Sequence, residues 1–343
     1  MKNILSRTIV VAMAGLLAGC TAFAGAGSDR FPRTGARYES QATRAQWTKH
    51  VLTLWAGGYP GTRTLPEDHV LDKQTAATQF NAAENARLSL TWFGHSSFLI
   101  RAGGTSILTD PVFSATAGFG LFSVHRIAPV RPDPGIIRDV DAILITHADY
   151  DHLDIGTLRR LARRFPGAVV FVPQATAKII RPLGFARVVE MDWYDRDRAA
   201  DARIVAVPAI HSTRRVPHHS VDSMHWNGYR IDMGGRAIYF AGDTGAGDLF
   251  AEIPRRTGRS DIAIVPAGAW APRGFERPFH VEPEEALDIA RTVGAHVAIG
   301  MHWGTFALSE ETVAEQRERF LSAGTRGVKP VLMRIGETRV LRR

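Results

Sequence analysis

The sequence predicts an α/β fold of the α+β kind, in which two mixed β-sheets pack face to face and helices cover the outside. Short β-like runs separated by glycines open the globular part, and buried-type strands alternating with helical stretches follow. The second half repeats this style, with no linker between the halves. The 343 residues are 45% hydrophobic and 22% charged, which excludes disordered, collagen-like and multi-pass membrane proteins.

The individual elements follow from local patterns of apolar residues and from glycine-containing turns. In the first half, strands are predicted at residues 88–92, 97–101, 105–109, 142–145, 169–172 and 204–207, and helices at residues 154–164 and 174–180. In the second half, strands are predicted at residues 237–240, 262–265, 296–299 and 330–335, and helices at residues 247–255, 282–291 and 310–321.

The first 19 residues have the features of a lipoprotein-type signal peptide. A positive start precedes an apolar run at residues 8–17 that is too short to span a bilayer, and small residues precede Cys20. The segment Leu17-Ala18-Gly19-Cys20 resembles a bacterial lipobox, which implies cleavage before Cys20 and acylation of that cysteine. Since Thr21-Ala22 lacks an acidic retention signal, we expect an outer-membrane lipoprotein that faces the periplasm and contacts the membrane through its lipid anchor.

The chain is predicted to have three parts. Residues 1–19 are the signal peptide, and residues 20–60 form a tether and an N-terminal cap. The tether is rich in glycine and alanine, and residues 46–55 carry apolar side chains that predict a short helix. Residues 61–343 form the globular domain.

Charge and cysteine content exclude several classes of function. The formal net charge is +8, but the arginines are scattered in pairs and form no basic stripe, so nucleic acid is not an expected partner. Cys20 is the one cysteine in the sequence. Its acylation would leave no thiol for a disulfide, a cysteine-ligated zinc or a cysteine nucleophile.

The strongest local signal is a cluster of metal-ligand side chains directly after the predicted strand at residues 142–145. Its motif is His147-x-Asp149-x-Asp151-His152, and charged side chains are rarely buried at this density without a partner. Imidazole and carboxylate together suit Zn²⁺, Mn²⁺ or Fe, and such a cluster suits two ions better than one. Three further candidate ligands each follow a β-like run, namely His211, Asp243 and His302.

This ligand pattern resembles that of the metallo-β-lactamase superfamily of dinuclear metallohydrolases. Surrounding segments extend the likeness to the N-acyl-phosphatidylethanolamine-hydrolysing phospholipase D family and its bacterial relatives. They are Trp92-Phe-Gly-His-Ser-Ser-Phe-Leu-Ile100, Thr109-Asp-Pro-Val-Phe113, Phe240-Ala-Gly-Asp-Thr-Gly245, His280-Val-Glu-Pro-Glu-Glu-Ala286 and Met301-His-Trp-Gly-Thr-Phe-Ala-Leu308.

The resemblance implies an αββα sandwich and a division of the ligands between two divalent ions. One ion would be held by His147, Asp149 and His211, the other by Asp151, His152 and His302, with Asp243 bridging them. It further implies that a hydroxide shared by the ions attacks the phosphorus of a phosphodiester, with Asp151 orienting it. His280 would contact the phosphate or protonate the leaving alcohol, although a role at the start of a helix is the alternative.

Asp149 departs from the family pattern, which has histidine at this position. A carboxylate adds negative charge and favours harder cations, so Zn²⁺ remains the expected metal while Mn²⁺ or Fe becomes an alternative. Two other interpretations stay open: the site could hold one ion, or Asp149 could lie outside the coordination sphere.

The expected substrate is a phospholipid or another small molecule that contains phosphate. The apolar stretch at residues 112–122 could receive a lipid tail or belong to the core, while Arg273, Tyr150 and the pair Arg214-Arg215 are candidate substrate contacts. Two other functions remain as alternatives, a lactonase resembling ascorbate-6-phosphate lactonase and a binding protein with a degraded metal site. No feature of the sequence indicates the oligomeric state.

Overall fold

The computed structural model describes residues 43–56, 58–59, 63–120, 122–213, 215, 223–323 and 327–341. The predicted signal peptide, Cys20, most of the tether and Arg214 lie outside the described residues. Within the predicted N-terminal cap, a helix runs from Arg44 to Trp55 (α1). It begins at a capping box, because the Thr43 hydroxyl accepts from the backbone N–H of Gln46 while the Gln46 side chain accepts from that of Thr43.

Sixteen strands form two seven-stranded sheets and one hairpin within the described residues. In chain order, the strands are β1 (Ser89–Gly94), β2 (Ser97–Ala102), β3 (Thr105–Thr109), β4 (Thr116–Phe119), β5 (Phe122–His125), β6 (Ala142–Leu144), β7 (Val169–Pro173), β8 (Arg187–Met191), β9 (Arg196–Ala199), β10 (Ala202–Val207), β11 (Gly228–Met233), β12 (Arg236–Phe240), β13 (Ile262–Pro266), β14 (Val297–Met301), β15 (Lys329–Val331) and β16 (Thr338–Val340).

The first sheet has the order β16-β1-β2-β3-β6-β7-β8 and the second β15-β14-β13-β12-β11-β10-β9. Both sheets are mixed. In the first, β1 to β3 form antiparallel pairs and β3, β6, β7 and β8 pair in parallel; in the second, β9 to β12 are antiparallel and β12 to β15 are parallel. The predicted pair of mixed sheets is confirmed.

Seven further helices occur in the described residues, and several cover the outer faces of the sheets. They are α2 (Lys73–Ala82), α3 (Ile155–Arg164), α4 (Ala177–Ile180), α5 (Glu252–Thr257), α6 (Arg273–Glu276), α7 (Pro283–Thr292) and α8 (Val313–Ser322). Among the described residues, no helix combines the length and the apolar character needed to cross a membrane.

Alternation along the strands separates the space between the sheets from the layer under the helices. On β2, Phe98 and Ile100 belong to the large cluster shared by both sheets, whereas Leu99 belongs to a second cluster with residues of α3. On β6, Leu144 faces the first cluster and Ile143 the second. Because successive side chains of a strand point to opposite faces, both faces of this sheet are buried. The fold is therefore the predicted αββα sandwich.

Several elements were not predicted, among them β8, β9, β11 and α2, and two further features differ from the predicted elements. The strand predicted at residues 330–335 is shorter, since β15 covers Lys329–Val331, and the last strand is β16, which returns to the first sheet beside β1. The apolar stretch at residues 112–122 contributes to the hairpin β4–β5, in which Ala117 is buried while Phe119 is 43% exposed.

Asp154 fixes the start of α3 directly after the predicted metal-binding motif. Its carboxylate accepts hydrogen bonds from Thr157 N (3.0 Å), Thr157 Oγ1 (2.5 Å) and Ser114 N (3.0 Å). Burial alone would raise the pKa of Asp154, but the hydrogen bonds from Ser114 and Thr157 outweigh it and lower the pKa below its ordinary value of 3.8.

Replacing Asp154 with alanine is expected to lower the free energy of unfolding by about 1–2 kcal/mol at neutral pH. Since the pKa is lowered in the folded state, this stabilisation is present above the unfolded pKa and is lost as the pH falls through the folded pKa. Urea denaturation of the metal-free proteins measures this free energy at each pH. The difference in the free energy of unfolding between wild type and Asp154→Ala should become smaller below about pH 4. An unchanged difference in acid would contradict the role of the ionised carboxylate.

Candidate metal centre

The predicted ligands meet at one edge of the sandwich because each follows the carboxyl end of a strand. β10, β12 and β14 run in the same direction, since β11 is antiparallel to both β10 and β12 and β13 is parallel to both β12 and β14. The residues that follow these strands are His211, Asp243 and His302, and the segment 147–152 follows β6 of the other sheet. The metal motif thus lies where the two sheets adjoin.

One group of side chains consists of His147, His211 and Asp243, whose ligand atoms lie within 4.8 Å of one another. Asp149 lies beside this group. Its Oδ2 is 3.9 Å from His147 Nε2 and 4.0 Å from His211 Nε2. The His147 Nε2 atom is also 3.9 Å from Asp243 Oδ2. The structure therefore places Asp149 at the position that the resemblance assigns to a ligand of the first ion.

A second group consists of His95, Asp151, His152 and His302, whose ligand atoms also lie within 4.8 Å of one another, and Asp243 lies between it and the first group. Asp243 Oδ2 is 3.0 Å from His302 Nε2 and 3.1 Å from His152 Nε2, and Asp151 Oδ2 is 3.4 Å and 3.7 Å from the same two nitrogens. Asp243 Oδ2 thus lies within 3.9 Å of nitrogens in both groups, which is the arrangement expected of a bridging ligand between two cations.

Buried nitrogens in both groups fit a metal better than they fit hydrogen bonding within the protein. Among the described residues, the Nε2 atoms of His147, His152 and His302 are buried and lie 3.9, 3.1 and 3.0 Å from Asp243 Oδ2, without the geometry of a good hydrogen bond. A buried polar atom without a partner is costly, and imidazole nitrogens that converge on carboxylates provide the donor set of a divalent cation.

The electrostatics of the two groups also suit cations. Burial alone would raise the pKa of Asp243, but the imidazoles of His152 and His302 outweigh it and hold the pKa well below its usual range. Burial would lower the pKa of His302, but Asp243 and Asp151 outweigh it and raise the pKa to about 9. A metal ion would replace the protons that these carboxylates hold on the imidazoles, so cation binding is expected to release protons.

Two buried residues that the sequence analysis did not select support the ligands. The Asp110 carboxylate, at the end of β3, accepts from Thr146 N (2.8 Å) and Thr146 Oγ1 (2.7 Å) and pairs with His152 Nδ1 (2.8 Å). This bond directs Nε2 of His152 towards Asp243. His95, in the β1–β2 turn, lies with Nε2 at 3.0 Å from Asp151 Oδ2. The sequence signal that could have identified His95 and Asp110 is their position, because each directly follows a strand.

His280 lies at the edge of the second group, between the candidate ligand Asp243 and the buried acid Glu276. Its Nδ1 is 3.9 Å from Asp243 Oδ2, and its Nε2 is 3.8 Å from Glu276 Oε2. Burial lowers the pKa of His280 well below its usual range, which keeps the imidazole neutral. A cavity of about 190 Å³ opens onto His280 and exposes five predicted ligands, namely Asp149, Asp151, His211, Asp243 and His302.

The structure places Arg273 in a supporting position. Its guanidinium pairs with Glu282 (2.8 Å) and Glu285 (2.9 Å) and donates to the backbone carbonyl of His280 (2.8 Å). Among the described residues, the cavity lining does not include Arg273. The geometry therefore favours a role in holding the His280 loop over the predicted contact with substrate.

Tyr150 and Arg215 lie together beside the metal-binding motif. The Arg215 guanidinium is 4.3 Å from the centre of the Tyr150 ring, and its Nη1 donates to the backbone carbonyls of Ala148 (2.7 Å) and Leu153 (3.0 Å). Arg215 is thus buried and stabilises the backbone of the segment that carries four predicted ligands. The substrate contact predicted for Tyr150 stays a prediction.

Comparisons with known proteins agree with this geometry. The profile described as "Beta-lactamase superfamily domain" matches residues 105–303. An "N-acyl-phosphatidylethanolamine-hydrolyzing phospholipase D 1" from Caenorhabditis elegans is 31% identical over 301 residues, which cover 78% of this chain and 83% of the relative. A "UPF0173 metal-dependent hydrolase" from Aeropyrum pernix is 27% identical over 70% of this chain and 94% of its own length.

Among solved structures, the fold is similar to that of Igni18, a metallo hydrolase from Ignicoccus hospitalis. The two match with a TM-score of 0.54 and 24% identity, over 73% of this chain and 97% of the archaeal one. At this identity, the likeness supports the architecture alone.

Proposed function

The chain belongs to the metallo-β-lactamase superfamily and is a metal-dependent hydrolase, and from that premise we propose that it is a phosphodiesterase of the phospholipase D type. Its proposed substrate is N-acyl-phosphatidylethanolamine. Hydrolysis would break the bond between phosphorus and the ethanolamine oxygen and add water, giving phosphatidic acid and N-acylethanolamine. The nematode relative supports this choice through its name and its similarity over most of both chains.

One observation supports the proposal above the others: Asp243 Oδ2 lies within 3.9 Å of nitrogens of both ligand groups, and Asp243 lines a cavity that His280 also lines. Two cations about 3.5–4 Å apart suit phosphoryl transfer, because they can stabilise both the attacking and the leaving oxygen. The residues proposed to hold them are His147, Asp149 and His211 for one, Asp151, His152 and His302 for the other, and Asp243 for both.

Each group of residues has a distinct part in the proposed reaction. Two divalent cations, when bound, supply Lewis acidity and lower the pKa of water. Asp151 lines the cavity, and there its carboxylate can orient the attacking water. His280 faces the same cavity, and because its imidazole is neutral, its N–H can donate a hydrogen bond to a phosphoryl oxygen or to the leaving oxygen.

The test is product analysis by mass spectrometry. Purified protein is incubated with N-acyl-phosphatidylethanolamine and Zn²⁺ or Mn²⁺, with a chelator as the control. Release of N-acylethanolamine and phosphatidic acid that stops with the chelator would support the proposal. Hydrolysis of a sugar-phosphate lactone with no phospholipid cleavage would favour the lactonase, and metal binding without turnover of either substrate would favour a binding protein.

Zn²⁺ is the proposed metal, with Mn²⁺ or Fe as alternatives that depend on Asp149. We expect Asp149→His to lower the ratio of Mn²⁺-supported to Zn²⁺-supported activity about tenfold, because imidazole suits Zn²⁺ better than a carboxylate does. Initial rates after reconstitution with each cation measure the ratio. Asp201→His, at an exposed turn, is the matched control and should leave it unchanged. An unchanged ratio in Asp149→His as well would place Asp149 outside the coordination sphere.

We also propose that the protein is attached to the outer membrane through an acylated Cys20. The proposal follows from the lipobox-like segment before Cys20. Metabolic labelling with palmitate, followed by fractionation of the envelope, tests it, with Cys20→Ser as the comparison. Label and membrane association that persist in Cys20→Ser would overturn this part of the proposal.

A further inference from the structure

The catalytic cavity has two unlike sides. Five candidate metal ligands line it, and four large apolar side chains line it as well. They are Leu54, Phe275, Phe279 and Leu308. Leu54 belongs to α1, which also contributes His50 to the lining, although α1 precedes residues 105–303 that match the superfamily domain. A segment outside the matched domain therefore completes the cavity.

The segment after α1 is held against the loop that follows β14. Tyr59 N donates to Ala307 O (3.0 Å), and His50 Nδ1 is 2.8 Å from the Tyr59 hydroxyl oxygen. Gly58 has a φ of 93°, and a Cβ at this position would lie 2.3 Å from Ala307 O. The close approach requires glycine. The contacts of Gly58 and Tyr59 with Ala307 therefore hold α1 beside the cavity.

Packing on the apolar side fixes the same arrangement. Leu54 and Leu308 pack against a small cluster that combines the loop after β3, the hairpin and the loop after β14. Its buried members are Val112, Ala117, Val124 and Phe306. Leu52, two residues earlier on α1, is 38% exposed and is not among the residues that line the catalytic cavity. The two leucines of one helix thus have different surroundings.

We propose that α1 forms the wall of the catalytic cavity that selects for an apolar group on the phosphate-bearing substrate, with Leu54 as a specificity-determining residue. The inference rests on the proposed function, which places the phosphate at the metal ligands. The acyl-bearing part then lies against Leu54 and its apolar neighbours. His50 and Tyr59 act as positioning residues, because their contact joins α1 to the Ala307 loop.

The test compares binding of two probes to the metal-loaded protein by calorimetry. Dioctanoyl phosphatidic acid carries acyl chains, and inorganic phosphate does not. The preference is the ratio of the two binding constants. In Leu54→Ser, this ratio should fall about tenfold, as expected for the loss of one or two methylene contacts in a pocket. Leu52→Ser, on the same helix, should keep the wild-type preference. Equal preferences in the two variants would overturn the inference.

A second variant changes the position of α1 and leaves the Leu54 side chain in place. Gly58→Ala should displace α1 through the clash with Ala307 O, and should lower the acyl preference as Leu54→Ser does while metal content by mass spectrometry stays unchanged. A wild-type preference in Gly58→Ala would contradict the role of α1. Because binding is measured without turnover, a protein that selects the acylated probe yet hydrolyses no phosphodiester would refute the proposed function and support this inference.

Discussion

Asp243→Asn is expected to reduce metal-dependent hydrolysis by about 1000-fold, equivalent to about 4 kcal/mol of transition-state stabilisation. Asparagine has the shape of aspartate but is neutral and binds cations weakly. Asp243 Oδ2 lies within 3.9 Å of a nitrogen on each of four histidines, namely His147, His152, His280 and His302. Its loss removes the carboxylate that lies beside nitrogens of both ligand groups, so bound metal should fall as well.

Three measurements separate this effect from unfolding. Near-ultraviolet circular dichroism reports the packing of the core, mass spectrometry reports the bound metal, and initial rates report turnover. Asp288→Asn is the matched control, because the Asp288 side chain is 68% exposed on α7 and lies outside both ligand groups. A folded Asp243→Asn protein with wild-type metal content and wild-type turnover would rule out a bridging carboxylate.

The candidate ligands that the structure brings together could be selected from the sequence because their signals are local. Four of them stand within six residues directly after a buried strand, and His211, Asp243 and His302 each follow an apolar run. The carboxyl ends of parallel strands lie at one edge of a sheet, so metal-ligand residue types that follow several such strands are candidates for one site.

The supporting residues escaped prediction because their roles depend on contacts between distant parts of the chain. Asp110 reaches His152 only once β3 pairs with β6 across a gap of more than thirty residues. His95 meets Asp151 through a similar separation, and in the sequence it resembles any polar turn residue. The position of α1 depends on the contact between Tyr59 and Ala307. No pattern of hydrophobicity encodes such pairs.

β16 illustrates the same limit in the fold. Its three residues, Thr338–Val340, include an arginine and show no run of buried side chains. It becomes a strand because Leu90 and its neighbours on β1 offer an open edge, to which Arg339 pairs in register. A short edge strand is specified by its partner more than by its own residues.

Asp110 is not among the described residues that line the cavity at the candidate metal centre, yet its contact with His152 determines which nitrogen of that imidazole can bind a cation. Asp110 is fully buried, and its carboxylate pairs with His152 Nδ1 while accepting from two donors of Thr146. With the Asp110 carboxylate opposite Nδ1, His152 keeps a proton on Nδ1, so a cation that displaces the proton of Nε2 finds the lone pair of that nitrogen directed towards Asp243. In Asp110→Asn, the amide must turn an NH₂ group towards one of these donors, and an NH₂ towards His152 would place the proton on Nε2, where a cation should bind.

Asp110→Asn is therefore expected to weaken metal affinity about 10–100-fold at the site of Asp151, His152 and His302, with a smaller effect at the site of His147 and His211. Competition with a chelator measures both affinities. Asp141→Asn is the matched control, because Asp141 accepts from Ser106 N (2.8 Å) at the opposite end of β6 and should lower stability without changing metal affinity. Equal metal affinities in the two variants would show that Asp110 supports the fold alone, whereas a selective loss at one site would show that it directs the ligating nitrogen of His152.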